Sequence, residues 1–288
     1  MALLVFGEVG LRPRHRHQRG TFEYSQGRHA GGHKSSLTMM DNASMLFEAT
    51  NIVKRIDSLV IADGISLAVP AGSVVGLIGP NGAGKTTMLG VLSGDVRCDA
   101  GTISLDGRTI TKTNASQRAR LGIGRTYQIP RPFKGLTVFE HALLAVQQTR
   151  HVTRDEANAL AVSAIERCGL AKLINVLGGD LRLLDRKRLE MARAVALNPK
   201  VILLDEVAGG LSDFEVNELI EIVNALRDEG TAFLWVEHVV RALTATADHV
   251  MCLYAGSIIA QGSPDEVLEH PAVIESYFGS PAFMKEGA

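Results

Sequence analysis

The sequence predicts an α/β fold, a doubly wound sheet organised around a phosphate-binding loop, with a block of helices inserted between its strands. Three observations predict it. Short apolar runs alternate with amphipathic helical stretches from Leu46 onward, the pattern of a layered α/β domain. One apolar run, Val74-Val75-Gly76-Leu77-Ile78, leads straight into Gly79-Pro80-Asn81-Gly82-Ala83-Gly84-Lys85-Thr86-Thr87. Another, Val201-Ile202-Leu203-Leu204, ends in Asp205-Glu206, as a central strand buried on both faces does when its C-terminal end enters a ligand crevice.

The glycine-rich stretch fits G-x-x-x-x-G-K-[ST], the P-loop. Gly79 and Gly84 bracket a loop that winds around a polyphosphate, and Gly82 adds freedom within it. Glycine allows positive φ and lets backbone N–H groups approach oxygens with no Cβ in the way. Lys85 can meet the terminal phosphates as a point charge. The Thr86 hydroxyl is placed to ligate Mg²⁺. The apolar residues after Thr87 read as a helix whose positive N-terminal end faces the phosphates.

Bulk composition narrows the possibilities. The chain has 288 residues, 46% hydrophobic and 21% charged, an ordinary globular balance. A net charge of −1 offers no electrostatic basis for binding nucleic acid. Cys98, Cys168 and Cys252 form no C-x-x-C pair, which argues against a zinc site and for a reducing compartment. No apolar run approaches the ~18 residues of a membrane span, so membrane work would require a partner.

Taken in order, residues 1–44 carry Arg12, Arg14, Arg16, Arg19, Arg28 and Lys34 among several histidines, without apolar periodicity. They are expected to be a disordered basic leader, or to precede a true start near Met39, Met40 or Met45. Leu46-Phe47-Glu48-Ala49 and Ile65-Ser66-Leu67-Ala68-Val69 alternate as half-buried strands do, with a turn at Pro70-Ala71-Gly72. Residues 101–107 form a strand between glycine turns. Residues 124–133 end a strand and enter a proline-restricted loop.

The pattern then becomes helical over about residues 133–198. Thr153-Arg154-Asp155-Glu156 is expected as a capping box, with Thr153 as N-cap and Glu156 at N3, and Gly169 stops the helix it opens. A second helix is expected over residues 186–197. After the strand ending at Asp205, the apolar stripe of Val216, Leu219, Ile220, Val223 and Leu226 marks a helix stopped at Gly230. Residues 232–236 form a strand leading to Glu237-His238, and Ser263-Pro264-Asp265-Glu266 opens a late helix. The domain is expected to span residues 45–279, with a tail over residues 280–288.

The chemistry concentrates at strand ends. Asp205, beside the P-loop, can hold Mg²⁺, and Glu206 points elsewhere and can orient or deprotonate an attacking water. Gln128 is positioned to contact the metal or the water, and His238 to reach the γ-phosphate.

With the P-loop, Gln128, Asp205-Glu206 and His238 in this order, the chain resembles the ATP-binding subunits of ABC transporters, from about Leu46 to Gly279. The resemblance implies the P-loop NTPase core of the ABC ATPase type with an inserted helical subdomain. Within the family it is most similar to the branched-chain amino acid importer group. That flavour lies in Gly122-Ile123-Gly124-Arg125-Thr126-Tyr127-Gln128, in Gly135-Leu136-Thr137-Val138-Phe139-Glu140, and in a tail from Gly262 to Tyr277-Phe278-Gly279.

The resemblance implies an ATP- and Mg²⁺-dependent ATPase, peripheral at the cytoplasmic face of the membrane. It implies permease partners bound near Gln128 and, indirectly, a substrate-binding protein. The resemblance also exposes departures. The family signature L-S-G-G-Q is matched by Leu181-Arg182-Leu183-Leu184-Asp185, with Arg182 for the serine and Leu184 for a glycine. Ile56 stands where a nucleotide-stacking aromatic is common, Val207 where a proline often follows the glutamate, and Ser212 where many members carry an aspartate. In the family dimer the signature closes the partner's ATP site, so a heterodimer with a related subunit carrying an intact signature is expected. A catalytically weak scaffolding subunit and a non-transport ABC ATPase are the alternatives.

Overall fold

A computed structural model describes residues 45–149 and 152–278. The expected basic leader and the tail from residue 280 lie outside the described residues. The chain runs β1 (Met45–Ile56), β2 (Leu59–Pro70), β3 (Val74–Ile78), α1 (Lys85–Ser93), β4 (Ala100–Leu105), β5 (Arg108–Thr109), α2 (Ala115–Leu121) and β6 (Ile123–Arg125). The helices α3 (Val138–Thr149), α4 (Arg154–Arg167) and α5 (Leu183–Ala196) follow. The chain then returns through β7 (Val201–Asp205), α6 (Asp213–Asp228), β8 (Ala232–Val236), α7 (Val240–Thr246), β9 (His249–Tyr254), β10 (Ser257–Gly262), α8 (Pro264–Leu268) and α9 (Pro271–Phe278).

There are two sheets where the sequence reading expected one. A six-stranded sheet has the order β10-β9-β3-β8-β7-β6, parallel except for the β9–β10 pair. A separate antiparallel sheet has the order β2-β1-β4-β5. The antiparallel direction of β1 and β2 has a local cause. β1 and β2 are joined through Asp57-Ser58, with Asp57 at φ +52°, and so short a link can only return the chain antiparallel; parallel neighbours need a crossover of a dozen or more residues. β9 and β10 are likewise joined by Ala255-Gly256, both with positive φ, as a tight hairpin turn requires.

The six-stranded sheet sorts its side chains by the two-residue strand period. Ile202, Leu204, Phe233, Trp235, Val250 and Cys252 belong to a core shared with helices α3 to α7. Val201, Leu203, Leu234, Val236, Met251 and Leu253 belong to the other core, shared with α1 and the antiparallel sheet. Both faces are buried, which is why these strands read as unbroken apolar runs.

Local capping explains the helix ends. The Thr153 hydroxyl accepts from Glu156 N–H, and Cys168 with Gly169 (φ +70°) ends α4. Ser212 with Glu215, and Ser263 with Glu266, form reciprocal capping boxes at α6 and α8. The helix expected over residues 186–197 begins three residues earlier, at Leu183. Buried Arg118 of α2 anchors the C-terminal end of α1, donating to the Val91 and Leu92 carbonyls at 2.7 Å. A cation there meets the negative end of the helix that carries the P-loop lysine.

Candidate active site

The phosphate loop is built by exclusion of side chains. A Cβ on Gly79 would lie 2.2 Å from the Leu253 carbonyl oxygen, and one on Gly84 2.8 Å from Ile61 Cγ2. Gly84, at φ +98°, is the residue from which α1 starts, without a side-chain cap. The first turn of α1 carries no acidic residue, so its N–H groups and positive dipole end face the loop uncompensated. Between the two glycines, Ala83 N–H donates to the Pro80 carbonyl at 3.2 Å and closes a turn over Asn81 and Gly82.

Lys85 is 6% exposed and points back into the loop, donating to the carbonyls of Gly79 at 2.7 Å and Pro80 at 3.1 Å. Burial pulls its ammonium below the ordinary lysine range, while Glu206 and Asp205 push it back up. Thr86, next on the helix, donates its hydroxyl to Asp205 Oδ1 at 3.4 Å. Thr87 follows on α1.

Asp205 closes β7 and is 1% exposed. Its N–H donates to Thr126 Oγ1, and its second carboxylate oxygen lies 3.5 Å from Arg125 Nη2. Burial raises its carboxyl above the usual aspartate value, opposed by Arg125 and Thr86. Arg125 also binds Asp95 and Ser93, and its guanidinium stands 4.9 Å from the centre of the Tyr127 ring, a cation–π distance.

Glu206 leaves the strand in the left-handed conformation, φ +48°. That is strained for a non-glycine residue and persists only where surroundings enforce it. Here its N–H donates to Val236 O, and its carbonyl accepts from Gly209 N–H at 3.3 Å and Lys187 Nζ at 3.2 Å. The bend separates two consecutive carboxylates. Asp205 faces Thr86 and Arg125, whereas Glu206 faces Gln128 and His238. Gln128 Nε2 donates to Glu206 Oε2 at 2.5 Å, and His238 Nδ1 lies 3.7 Å from the same oxygen. The sequence places Gln128 to contact the metal or the water; in the structure its amide nitrogen lies on Glu206, to which the loop after β6 delivers it.

Glu237, Lys187 and Arg125 carry the site without having been singled out from the sequence. Glu237 is 0% exposed, and its carboxylate accepts from the N–H groups of Ala208, His238 and Val239 and from the Trp235 indole. It thus fixes the turn that presents His238, whose ring is backed by Gly209. Lys187, 4% exposed, is held below the ordinary lysine range by burial, with Glu237 the main opposing charge. Each would be an ordinary surface residue in a linear reading; nothing in sequence spacing marks Glu237 and Lys187 as buried or Arg125 as a partner of Asp205.

At the residues matched to the signature, Arg182 is the N-cap of α5 and makes no side-chain cap bond. Leu184 is buried at 7% exposure, while Leu183 is 44% exposed beside Gly210. Ile56, at the end of β1, is 46% exposed.

A P-loop at a helix N-terminus after β3, a histidine after the neighbouring strand β8 and a carboxylate pair at the end of β7, one strand further out, define a nucleotide-binding ATPase site. The chain matches the ABC transporter family model over residues 62–209 and belongs to that family of transport-coupled ATPases. It also matches the model of the branched-chain amino acid ATP-binding cassette transporter over residues 257–282.

Among similar proteins, the lipopolysaccharide export ATP-binding protein LptB of Haemophilus influenzae is 35% identical over 81% of this chain and 97% of its own length. The high-affinity branched-chain amino acid transport ATP-binding protein LivG of Salmonella typhimurium is 34% identical over 81% and 98%. BraF of Pseudomonas aeruginosa, of the same description, is 33% identical over the same shares. A crystal structure of a nucleotide-free ATP-binding cassette from an ABC transporter superposes with a TM-score of 0.75 at 29% identity, over 82% of this chain and all of that one. A cassette in its ADP conformation gives 0.74 at 29% identity, over 82% and 99%. Among the described residues no helix is long and apolar enough to cross a membrane.

Proposed function

We propose that this chain is the ATP-hydrolysing subunit of an ABC importer for branched-chain or related amino acids. It binds peripherally to the cytoplasmic face of the membrane through permease subunits, and a substrate-binding protein supplies the solute. The observation that carries the reading is the C-terminal match to the branched-chain cassette model over residues 257–282, joined to a complete P-loop and carboxylate pair. That match favours amino acid import over the lipopolysaccharide export of the LptB relative, whose overall identity is equally high.

The residues take these roles in the proposal. The P-loop from Gly79 to Thr87 wraps the nucleotide phosphates, and Lys85 moves its charge from the loop carbonyls onto the terminal phosphates. Thr86 and Asp205 hold Mg²⁺. Their oxygens lie 3.4 Å apart, and a hydroxyl plus one carboxylate suits a hard cation that keeps several waters and takes few protein ligands. When bound, the ion neutralises charge developing on the phosphates. Glu206 accepts a proton from the attacking water, Gln128 holds the Glu206 carboxylate, and His238 reaches toward the γ-phosphate.

The working unit is a heterodimer in this reading. Arg182 and Leu184 put bulk where the family signature uses a small hydroxyl and a bare backbone, so two copies of this chain would build two damaged sites. A related partner with an intact signature restores the site made with this chain's Lys85 and Glu206. Isolation of the tagged chain from native membranes, followed by identification of its partners and assay of leucine uptake, tests the proposal. Permeases and a second cassette are the expected partners. Full turnover from this chain and permeases alone refutes the heterodimer, and loss of the chain without effect on branched-chain uptake refutes the substrate.

A further inference from the structure

The last described helix, α9, ends against the phosphate loop. The N–H of Gly79 donates to the hydroxyl of Tyr277 at 2.7 Å, across 198 positions of sequence. The carbonyl of the same glycine accepts from Lys85 Nζ at 2.7 Å. Its Cα is pressed so closely on β9 that no side chain fits, a Cβ falling 2.2 Å from Leu253 O. The first residue of the loop is therefore fixed at its N–H, its carbonyl and its Cα, and the N–H restraint comes from outside the nucleotide-binding motif.

Packing alone does not explain where Tyr277 stands. The residue is 41% exposed, and its ring borders an apolar cavity of about 160 Å³ together with Ile78, His238, Leu243, Val273 and Ile274. A ring with open space beside it is not forced into one position by its neighbours. The hydroxyl bond to Gly79 supplies the specificity that packing does not. α9 itself is anchored by Val273, which is 3% exposed in the core.

We propose that Tyr277 is a positioning residue for the phosphate loop. Its hydroxyl fixes Gly79, keeps the loop that seats Lys85 in its binding shape, and lets helix α9 set the affinity for nucleotide. The proposal rests on the nucleotide-binding reading of this site. Its physical basis is preorganisation: a loop already held in shape loses less freedom when a ligand orders it. Release of the restraint weakens nucleotide binding without touching the groups that act in the chemical step.

The test is Tyr277→Phe in the full chain, which removes the hydroxyl and keeps the ring. ATP hydrolysis in the assembled transporter and binding of a fluorescent ATP analogue by the isolated chain are measured beside wild type. The loss of one hydrogen bond gives an expected rise in KM and Kd of about threefold to tenfold, with kcat within about twofold. Ile274→Ser changes an exposed residue of the same helix, leaves the hydroxyl in place, and is expected to keep KM at the wild-type value. Thermal midpoints of both variants separate lost folding from lost affinity. Unchanged KM and Kd in Tyr277→Phe overturn the proposal. So does an equal KM shift in Ile274→Ser, which would make the effect a property of the helix and not of the hydroxyl. Wild-type chain that binds no ATP analogue removes the nucleotide reading itself, a distinct result from a variant that merely matches wild type.

Discussion

Glu237→Gln is the substitution whose cost the structure defines most directly. The carboxylate is fully buried and acceptor-only. One oxygen takes Ala208 N–H at 2.9 Å and Trp235 Nε1–H at 3.3 Å; the other takes His238 N–H at 2.9 Å and Val239 N–H at 3.2 Å. A glutamine of the same shape has a single accepting oxygen, so its NH₂ group must face two N–H donors that it cannot satisfy. Hydrogen bonds to a charged group contribute about 1.5–3 kcal/mol each, so losing two costs about 3–6 kcal/mol. The negative charge that offsets the buried ammonium of Lys187 is lost as well. In a chain of this size each kcal/mol moves the midpoint by about 2–4 °C, which gives a fall of roughly 6–24 °C.

Thermal denaturation of the purified chain without nucleotide measures this fall, with exposed Glu269→Gln as the control expected to melt like wild type. A Glu237→Gln midpoint within about 2 °C of wild type would refute the reasoning that this carboxylate anchors the turn.

Three further outcomes follow from the same geometry. Lys85→Ala should weaken ATP binding, because it removes the buried ammonium that the loop holds for the terminal phosphates; equilibrium titration with a fluorescent ATP analogue checks it. Glu206→Gln should retain binding and lose turnover by at least ~10²-fold if Glu206 is the general base, and equal turnover in the assembled transporter would remove it from that role. Asp205→Asn should abolish turnover and yet stabilise the chain at pH 7 in EDTA, read as a higher thermal midpoint than wild type. The sign follows from burial. A carboxyl whose folded-state value is raised binds its proton more tightly folded than unfolded, so its ionisation costs stability above both values. The advantage of asparagine should therefore vanish as pH falls to about 4, where the unfolded aspartate also becomes protonated. A variant no more stable than wild type at pH 7 would show that Arg125 and Thr86 outweigh burial.

Sequence by itself determined the parts of this protein that depend on short-range chemistry. The P-loop is legible because its glycines, lysine and threonine must follow one another in the chain to encircle a phosphate. The buried strands β3, β7 and β8 are legible because burial on both faces leaves them apolar throughout. The caps at Thr153 and Ser263 act within three residues of themselves. Tertiary structure alone decided that the first strands pair into a separate antiparallel sheet, and that Gln128 lies on Glu206. It also decided that Glu237 is a buried hub of donors and that Tyr277 touches Gly79. Each of these joins groups by pairing or packing across the fold, and a contact between residues 198 positions apart leaves no period, spacing or composition for a linear reading to detect.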